Sequence, residues 1–351
     1  MSWRGPALGS DQRDLMAMLD DFAADHDIVL ADNPEAVAGL VAELAELGVW
    51  TLGTAEAHGG GGADRATTAV ALIQLGRSWP ALGWAAAQAH TAADLLSGDD
   101  RCADLVKRVH AGTAAVAVAD AGSAHVRLAW SGDTLHGSVD RVDVAAETPY
   151  LLVLAGEDTA LLVEPSALKP RPVRRTGLGG ALTRSLEVDA SGSAVLELTG
   201  VDIPAAQARL RLGAAAVAAG IASAAADAAA TYAAGRHQFG GALTAIPTVR
   251  QSLLAQASKA AVILTAVLAA TEDDPVRSFA TAHEACGSAI DVAAAALQSH
   301  GGYGYLAEYP AERYLRDAVS LRAAADIQSA AVTTARSLVG LPPATVLRKD
   351  A

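Results

Sequence analysis

The chain has 351 residues, of which 52% are hydrophobic and 19% charged, so we expect a folded protein of one large or two to three smaller domains. Its net charge of −13 leaves no basic stripe to neutralise phosphates, which excludes a nucleic-acid partner. Cys102 and Cys286 lie far apart without metal-ligand spacing and no apolar signal segment begins the chain, so we expect a cytoplasmic protein without disulfides or metal.

Residues 1–112 are predicted to form an α-helical domain. LVAELAELGVW at 40–50 places apolar residues at helical spacing, and two further helices are predicted on either side of Pro80. The glycine run HGGGG at 58–62 interrupts the helical pattern, because glycine costs helix stability. A plain loop is favoured there over a phosphate-binding loop, since no strand precedes the glycines and no Lys-Ser/Thr pair follows them.

Residues 113–205 are predicted to form a central β domain. Seven short runs rich in Val and Leu are separated by Gly, Asp, Ser and Pro at intervals of roughly ten residues. That pattern is typical of an antiparallel β-barrel or sandwich. No strand is followed by a glycine-rich turn and a helix, which argues against a Rossmann domain.

Residues 206–351 are predicted to form a C-terminal four-helix bundle. The first two helices are expected at 206–235 and 244–270, and the third begins with Asp274 as N-cap and Pro275 at its first position. The fourth is expected from EYPAERYLRD to about Leu338. The predicted fold class is therefore α+β and multi-domain, with helical, β and helical parts in chain order.

One segment has the length of a membrane span. Residues 212–235 are apolar, but they consist of Ala and Gly rather than Leu and Ile, and they include Asp227. This composition favours a helix packed closely among other helices, so no membrane span is expected.

Three stretches resemble the acyl-CoA dehydrogenase family. GRHQFGGAL at 235–243 resembles its Arg-x-x-Phe-Gly signature, and QSHGGYGYLAEYPAERYLRDA at 298–318 resembles its Gln-x-x-Gly-Gly-x-Gly…Glu-Tyr-Pro…Arg-Asp-Ala signature. The stretch from ELAELGVWTL to HGGGG at 43–62 resembles its N-terminal helical pattern. The resemblance extends over essentially the whole chain, and it implies that family's fold, FAD as cofactor and an acyl-CoA substrate.

The resemblance implies that the first signature contacts an FAD held mainly by a neighbouring subunit. Arg236 would offer a fork-shaped cation to the pyrophosphate, Gln238 would donate an amide, and Phe239 would cover the flavin edge. The alternative for Arg236 is an arginine that lies on the surface or forms an ion pair.

The second signature is implied to contact the ADP part of the same FAD. Gly301 and Gly302 would let the backbone approach closely, and Gln298 lies three residues earlier on the same helical face. The charged residues that follow are predicted to be structural, with Glu312 and Arg316 forming a pair across one helical turn.

The catalytic base of the family has no counterpart in the sequence. The usual place for its Glu falls on Ala325 when counted without gaps, and the alternative place falls on Leu210, and neither side chain accepts a proton. Asp326, one residue later, is the one candidate that could take the role. Arg211 matches a family Arg that supports the active site or CoA, or it pairs with an acid on a neighbouring helix.

The flavin-ring contacts of the family are also incomplete. Their counterparts are VADAGSAHVRL at 118–128 and VDRVDVAAET at 139–148, which keep Ala121, Gly122 and Ser123 but lack the Trp and adjacent Thr. The sequence thus predicts that the cofactor-facing signatures are retained while the chain's own ring pocket and base are lost.

We therefore interpret the chain as a subunit that contributes FAD-binding residues to a paralogous partner carrying the catalytic Glu. The pattern is similar to the non-catalytic, β-type subunit of actinobacterial heterotetrameric acyl-CoA dehydrogenases. That similarity implies a steroid or cholesterol side-chain CoA substrate and an electron-transfer flavoprotein or similar acceptor. Two alternatives stay open: a self-sufficient homotetrameric dehydrogenase or oxidase using Asp326, and a flavin-free scaffold.

Overall fold

The N-terminal part of the chain is helical. The structure, a computed structural model, describes residues 3–26, 29–131, 133–270, 273–341 and 347, with the backbone of 349–350. Its first helices are α1 (Ser10–Asp25), α2 (Pro34–Glu46), α3 (Arg65–Ser78), α4 (Pro80–Leu96) and α5 (Ala103–His110). The two helices predicted on either side of Pro80 are confirmed. Helix α2 ends before the predicted stretch does, because Gly48 takes a left-handed φ of 73°.

The central domain consists of two sheets. Its strands are β1 (Val116–Asp120), β2 (Val126–Ser131), β3 (Thr134–Val142), β4 (Tyr150–Leu154), β5 (Thr159–Val163), β6 (Leu168–Pro172), β7 (Arg184–Ser191) and β8 (Val195–Thr199). One sheet has the order β1-β4-β5-β8. The other has the order β11-β2-β3-β7-β6, where β11 is Lys349–Asp350.

The prediction of a purely antiparallel domain is wrong in two pairings. Strand β1 lies parallel to β4, and β11 lies parallel to β2, while the other pairings of these two sheets are antiparallel. Strand β6 was not predicted, because Pro170 and Pro172 weaken a strand pattern; it lies at a sheet edge, where proline is tolerated.

The apolar runs of β4 and β5 are explained by burial on both faces. Leu151 and Val153 point into the core between the two sheets. Leu152 and Leu154 point the other way, into the core that the sheet shares with the helices. Because both faces are covered, these strands show a continuous apolar run rather than an alternating pattern.

The C-terminal part is a helical bundle with a short hairpin. It contains α6 (Ile203–Gly235), the hairpin β9 (His237–Gln238) and β10 (Gly241–Ala242), α7 (Pro247–Ala269), α8 (Pro275–His300), α9 (Ala311–Ala324) and α10 (Ile327–Leu338). The predicted start of the third helix is confirmed, since the Asp274 side chain accepts the N–H of Arg277 and Pro275 follows it. Helix α6 begins three residues earlier than predicted, at Ile203, because Asp202 caps it.

The single fourth helix of the prediction is wrong. It is divided into α9 and α10 at Ala325–Asp326, where Asp326 has a φ of 45°. A left-handed residue cannot continue a right-handed helix, so the chain turns there and Asp326 caps α10. The interruption lies at the place where the resemblance implies the catalytic base.

Helix α6 is the central helix of the molecule. Of its most apolar 18-residue segment, 83% is buried, so the prediction of a closely packed helix at 212–235 is confirmed. A Cβ placed on Gly220 would lie 2.2 Å from the carbonyl oxygen of Ile73, so only glycine allows this approach of α3. Helix α7 is also long and apolar enough to cross a membrane, and 28% of its most apolar 18-residue segment is buried.

Candidate functional site

The first signature forms a strained hairpin at the end of α6. Gln238 pairs with Gly241, and the two residues between them, Phe239 and Gly240, have φ angles of 53° and 86°. Positive φ at both central positions is the geometry of a type I′ turn, which favours Asn or Gly. A bulky residue in the left-handed region costs about 1–2 kcal/mol. Phe239 is nevertheless 90% exposed, which indicates a contact outside the lone chain.

Arg236 lies at the base of this hairpin. It is half-buried, and its guanidinium carbon lies 4.7 Å from the ring centroid of Tyr303. No carboxylate of the described residues forms an ion pair with it, so one alternative from the sequence, an ion-paired arginine, has no support in this part of the chain. Its contact with Tyr303 brings the two signatures together.

The second signature forms a tight turn after α8. Gly301 has a φ of 55°, a conformation that glycine adopts without strain. A Cβ placed on Gly301 or Gly302 would meet no atom within 4 Å, so the backbone there borders open space. Gln298 is exposed on the last turn of α8. The exposed glycines and the free guanidinium fit an anionic group that approaches from outside the chain.

The charged residues after the second signature are structural, as predicted. Nε of Arg316 donates to Oε2 of Glu312 at 2.5 Å, and the Arg316 side chain also donates to the carbonyl oxygen of Thr176. Asp317 is buried and accepts the N–H of Leu178 at 2.6 Å. Burial raises the pKa of Asp317, while this hydrogen bond opposes the rise. Helix α9 is thereby attached to the β domain.

A cavity between the β domain and the bundle contains every place considered for the base. Leu210, Ala325 and Asp326 all line it, and its volume is about 100 Å³. The Asp326 side chain caps α10, where it accepts the N–H of Ser329 at 3.4 Å. The three positions considered for the base thus lie around one cavity, and the local geometry gives Asp326 a capping role.

Arg211 lines the same cavity and is 6% exposed. Its Nη1 donates to the carbonyl oxygen of Pro275 at 3.3 Å, and it forms no ion pair with a carboxylate of the described ranges. Burial lowers the pKa of Arg211, and the charge of Asp120 opposes that change.

Asp120 is a half-buried acid that sequence reasoning missed. It ends β1, and its side chain accepts the N–H of Gly122 at 2.8 Å and the amide of Gln207 at 2.5 Å. Burial raises its pKa, while these hydrogen bonds and Arg211 oppose the rise. The available signal was an acidic residue directly after an apolar strand.

Two residues that line this cavity, Arg141 and Ser329, form polar contacts across neighbouring elements. Arg141, in the stretch that lacks the family Trp and Thr, pairs with Asp143 and donates to the carbonyl oxygen of Ser320 at 3.2 Å. The N–H of Ala124 donates to Oγ of Ser329 at 3.2 Å, which fastens the loop after β1 to α10. Sites for small molecules usually enclose about 300–1,000 Å³. At about 100 Å³ the chain's own cavity is smaller than such sites, whereas the exposed signatures offer groups that fit the ADP half of FAD.

The described ranges contain no cluster of three or more His, Cys, Asp or Glu side chains that could hold a metal ion. His300, in the second signature, is buried with Nδ1 2.7 Å from the carbonyl oxygen of Ala296.

Two family descriptions match the chain on either side of the β domain. The "Acyl-CoA dehydrogenase, C-terminal domain" matches residues 205–325, and the "Acyl-CoA dehydrogenase, N-terminal domain" matches residues 9–97. Together they cover more than half of the chain, and the C-terminal match includes Leu210, Ala325 and both cofactor-facing signatures.

Individual relatives carry names of the same kind. A rat mitochondrial short-chain specific acyl-CoA dehydrogenase is 40% identical over 114 residues, which are 31% of this chain and 28% of that protein. A Bacillus subtilis acyl-CoA dehydrogenase is 28% identical over 328 residues, 80% of this chain and 83% of that protein. The glutaryl-CoA dehydrogenase of Mycobacterium smegmatis in complex with FADH2 has a TM-score of 0.78 at 17% identity, covering 96% of both chains, and supports the fold.

Proposed function

The chain belongs to the acyl-CoA dehydrogenase family, and from that premise we propose that it is a subunit which lends FAD-binding groups to a catalytic partner. The observation that carries the proposal is the hairpin tip, where Phe239 is exposed and left-handed, together with Arg236, which forms no ion pair with any carboxylate in the described part of the chain. The left-handed backbone of Phe239 is costly, and both features are explained if a cofactor-bearing partner covers them.

The reaction of the complex is α,β-dehydrogenation of an acyl-CoA thioester. Bound FAD would supply the hydride acceptor, and a Glu of the partner would supply the base that removes the α-proton. In this chain, Arg236 pairs with the pyrophosphate, and Gln238, Gln298 and the backbone at Gly301 and Gly302 contact the ADP half. The base is assigned to the partner because Ala325 and Leu210 carry no titratable group.

The substrate and the electron acceptor rest on the resemblance to heterotetrameric enzymes. On that ground we assign a CoA thioester of a steroid side chain as the substrate, as in cholesterol catabolism. An electron-transfer flavoprotein or a similar carrier would reoxidise the flavin.

Flavin content tests the sharing of a site. The chain is purified alone and co-expressed with a family member that keeps the Glu, and the visible flavin absorbance is compared with the protein concentration. We expect a colourless lone chain and one FAD for each pair of chains in the complex. One FAD per lone chain together with acyl-CoA turnover would contradict the proposal.

Arg236→Ala tests the contribution of this chain. Because the guanidinium is assigned to the pyrophosphate, the variant complex is expected to release flavin on dilution, with FAD affinity about ten- to a hundredfold weaker. Arg101→Ala, at an exposed arginine of the N-terminal domain, is the matched control and should retain the cofactor. Unchanged flavin binding in Arg236→Ala would favour the flavin-free scaffold instead.

A further inference from the structure

Four aromatic rings form a connected cluster below the two signatures. Tyr232 of α6 stacks on His300 of α8, with centroids 4.3 Å apart, and meets Tyr309 edge-on at 5.5 Å. Tyr303 meets Tyr309 edge-on at 6.0 Å. Offset and edge-on ring pairs at these distances are attractive, so the cluster fixes the turn after α8 relative to the end of α6.

Arg236 lies on the outer ring of this cluster. Its guanidinium carbon is 4.7 Å from the Tyr303 centroid, inside the roughly 6 Å range of cation–π contacts. Its backbone is held as well, since its N–H donates to the carbonyl oxygen of Tyr232 at 2.9 Å and its carbonyl accepts the N–H of Leu243 at 2.8 Å. Tyr303 is 40% exposed, so the ring borders both the cluster and the outside.

Stacking orients the guanidinium without using its donors. A guanidinium whose face rests on a ring keeps its N–H groups in its own plane, where they remain free for a second partner. An arginine that lacks such support must lose more rotamer freedom on binding. The ring therefore fixes Arg236 before any anion arrives.

We propose that Tyr303 is a positioning residue, which holds Arg236 in the orientation that binds the diphosphate of the partner's FAD. The inference rests on the proposed function, because it needs Arg236 to contact that diphosphate. It adds a residue that the signature alone did not single out, and it gives Tyr303 a task in cofactor affinity with no part in the chemical step.

The test measures the FAD dissociation constant of the co-expressed complex after its flavin has been removed. Tyr303→Leu removes the ring face and is expected to weaken FAD binding about three- to tenfold, the effect of one cation–π contact. Tyr303→Phe keeps the ring and should bind FAD as the unaltered complex does. Tyr305→Leu, at a 78% exposed tyrosine of the same turn, is the matched control and should also leave binding unchanged.

A double variant separates positioning from a general loss of structure. If Tyr303 acts through Arg236, adding Tyr303→Leu to Arg236→Ala should cause no further loss of FAD affinity. Additive losses, or equal losses in Tyr303→Leu and Tyr305→Leu, would overturn the inference. If Tyr303→Leu does not assemble, Tyr303→Gln takes its place in the comparison with Arg236→Ala. Gln also removes the ring, and its polar side chain is compatible with the solvent exposure of this position.

The two proposals fail in different ways. If Arg236→Ala leaves the FAD dissociation constant unchanged, the sharing of a cofactor site is refuted and the role of Tyr303 with it. If Arg236→Ala weakens binding while Tyr303→Leu has no effect, only the positioning role is refuted.

Discussion

Asp326 carries a carboxylate at one of the three positions considered for the catalytic base, but that carboxylate caps a helix. It lines the cavity between the β domain and the bundle, beside Ala325. Its carboxylate caps α10 by accepting the N–H of Ser329, and its φ of 45° fixes the direction of the side chain. A carboxylate that satisfies a helix terminus is held back from substrate, because moving it would expose the N–H groups that it caps.

Asp326→Asn separates capping from catalysis. Asn caps helices as well as Asp and tolerates left-handed backbone, so the variant should fold normally. We expect kcat of the complex to stay within about twofold, because a group outside the reaction contributes no general-base catalysis, which is worth about 10²–10⁴. Steady-state turnover of an acyl-CoA measures this, and a hundredfold loss would favour the self-sufficient enzyme.

Signature residues could be predicted from the sequence, and their supporting residues could not. Arg236, Gln298 and Gly302 were predicted from short motifs as contacts to an FAD held by a neighbouring subunit; in the structure Gln298 and Gly302 are exposed and Arg236 is half-buried. Asp120 was not predicted, because its role depends on Gln207, a residue 87 positions away. The contact between Arg236 and Tyr303 likewise needs the fold, since the two signatures are separated by two helices.

At the scale of elements, Asp120 joins strand β1 to helix α6. Its side chain accepts the amide of Gln207 from the first turns of α6, while Arg211 lies one turn further along the same helix. The carboxylate is half-buried where the two elements meet, and its desolvation there destabilises the ionised form relative to the unfolded chain. This contact therefore depends on pH.

Asp120→Asn measures that dependence. Burial raises the pKa of Asp120, so the folded state binds the proton more readily than the unfolded state. The stability that the acid contributes is fully present below its unfolded pKa and is lost as pH rises through the folded pKa. Asn does not titrate, so the variant serves as the reference. The difference in unfolding free energy, original chain minus variant, should therefore fall as pH rises. It should fall by about 1.4 kcal/mol for each tenfold difference between the acid dissociation constants of Asp120 in the folded and unfolded states.

Chemical denaturation of both proteins between mildly acidic and neutral pH gives that difference directly. A difference that grows as pH rises would mean that hydrogen bonds and Arg211 outweigh burial and hold the pKa of Asp120 below its usual range.

The mispredicted elements are those whose boundaries do not depend on which face is buried. Helical and strand patterns report which faces are buried, and they correctly separated the helical, β and helical parts. A burial pattern does not reveal that one residue has a left-handed backbone, so the break at Asp326 between α9 and α10 was not predicted. They also undervalue an edge strand that contains proline, so β6 was missed.

At the scale of the whole molecule, the β domain is fixed to helices on both sides. Gln88 of α4 donates to the carbonyl oxygen of Asp143 at 2.7 Å and accepts the N–H of Val118 at 3.2 Å. On the bundle side, Asp317 accepts the N–H of Leu178, as described above. Such buried polar contacts on two sides argue against a hinge that would open the small cavity widely enough for a flavin ring.

The bundle nevertheless leaves one apolar surface uncovered. Helix α7 places Leu254 and Val262 outward, 68% and 63% exposed, although the helix is apolar enough to be buried along its length. An apolar helix that leaves such side chains exposed is typical of a surface that another protein covers. We therefore expect α7 to pack against another subunit of the complex.

A charge on α7 should prevent assembly without unfolding the chain. Leu254→Glu places a carboxylate that water can solvate in the lone chain but that an interface would desolvate, so we expect the co-expressed partner to be lost on size-exclusion chromatography. The melting temperature of the lone chain should change little, because the side chain is exposed there. Leu47→Glu, the same change at a 42% exposed leucine at the end of α2, is the control and should leave the complex intact. If the Leu254→Glu complex stays intact, α7 faces solvent in the assembly. The hairpin β9–β10 and the turn after α8 would then be the parts of this chain that contact the shared flavin.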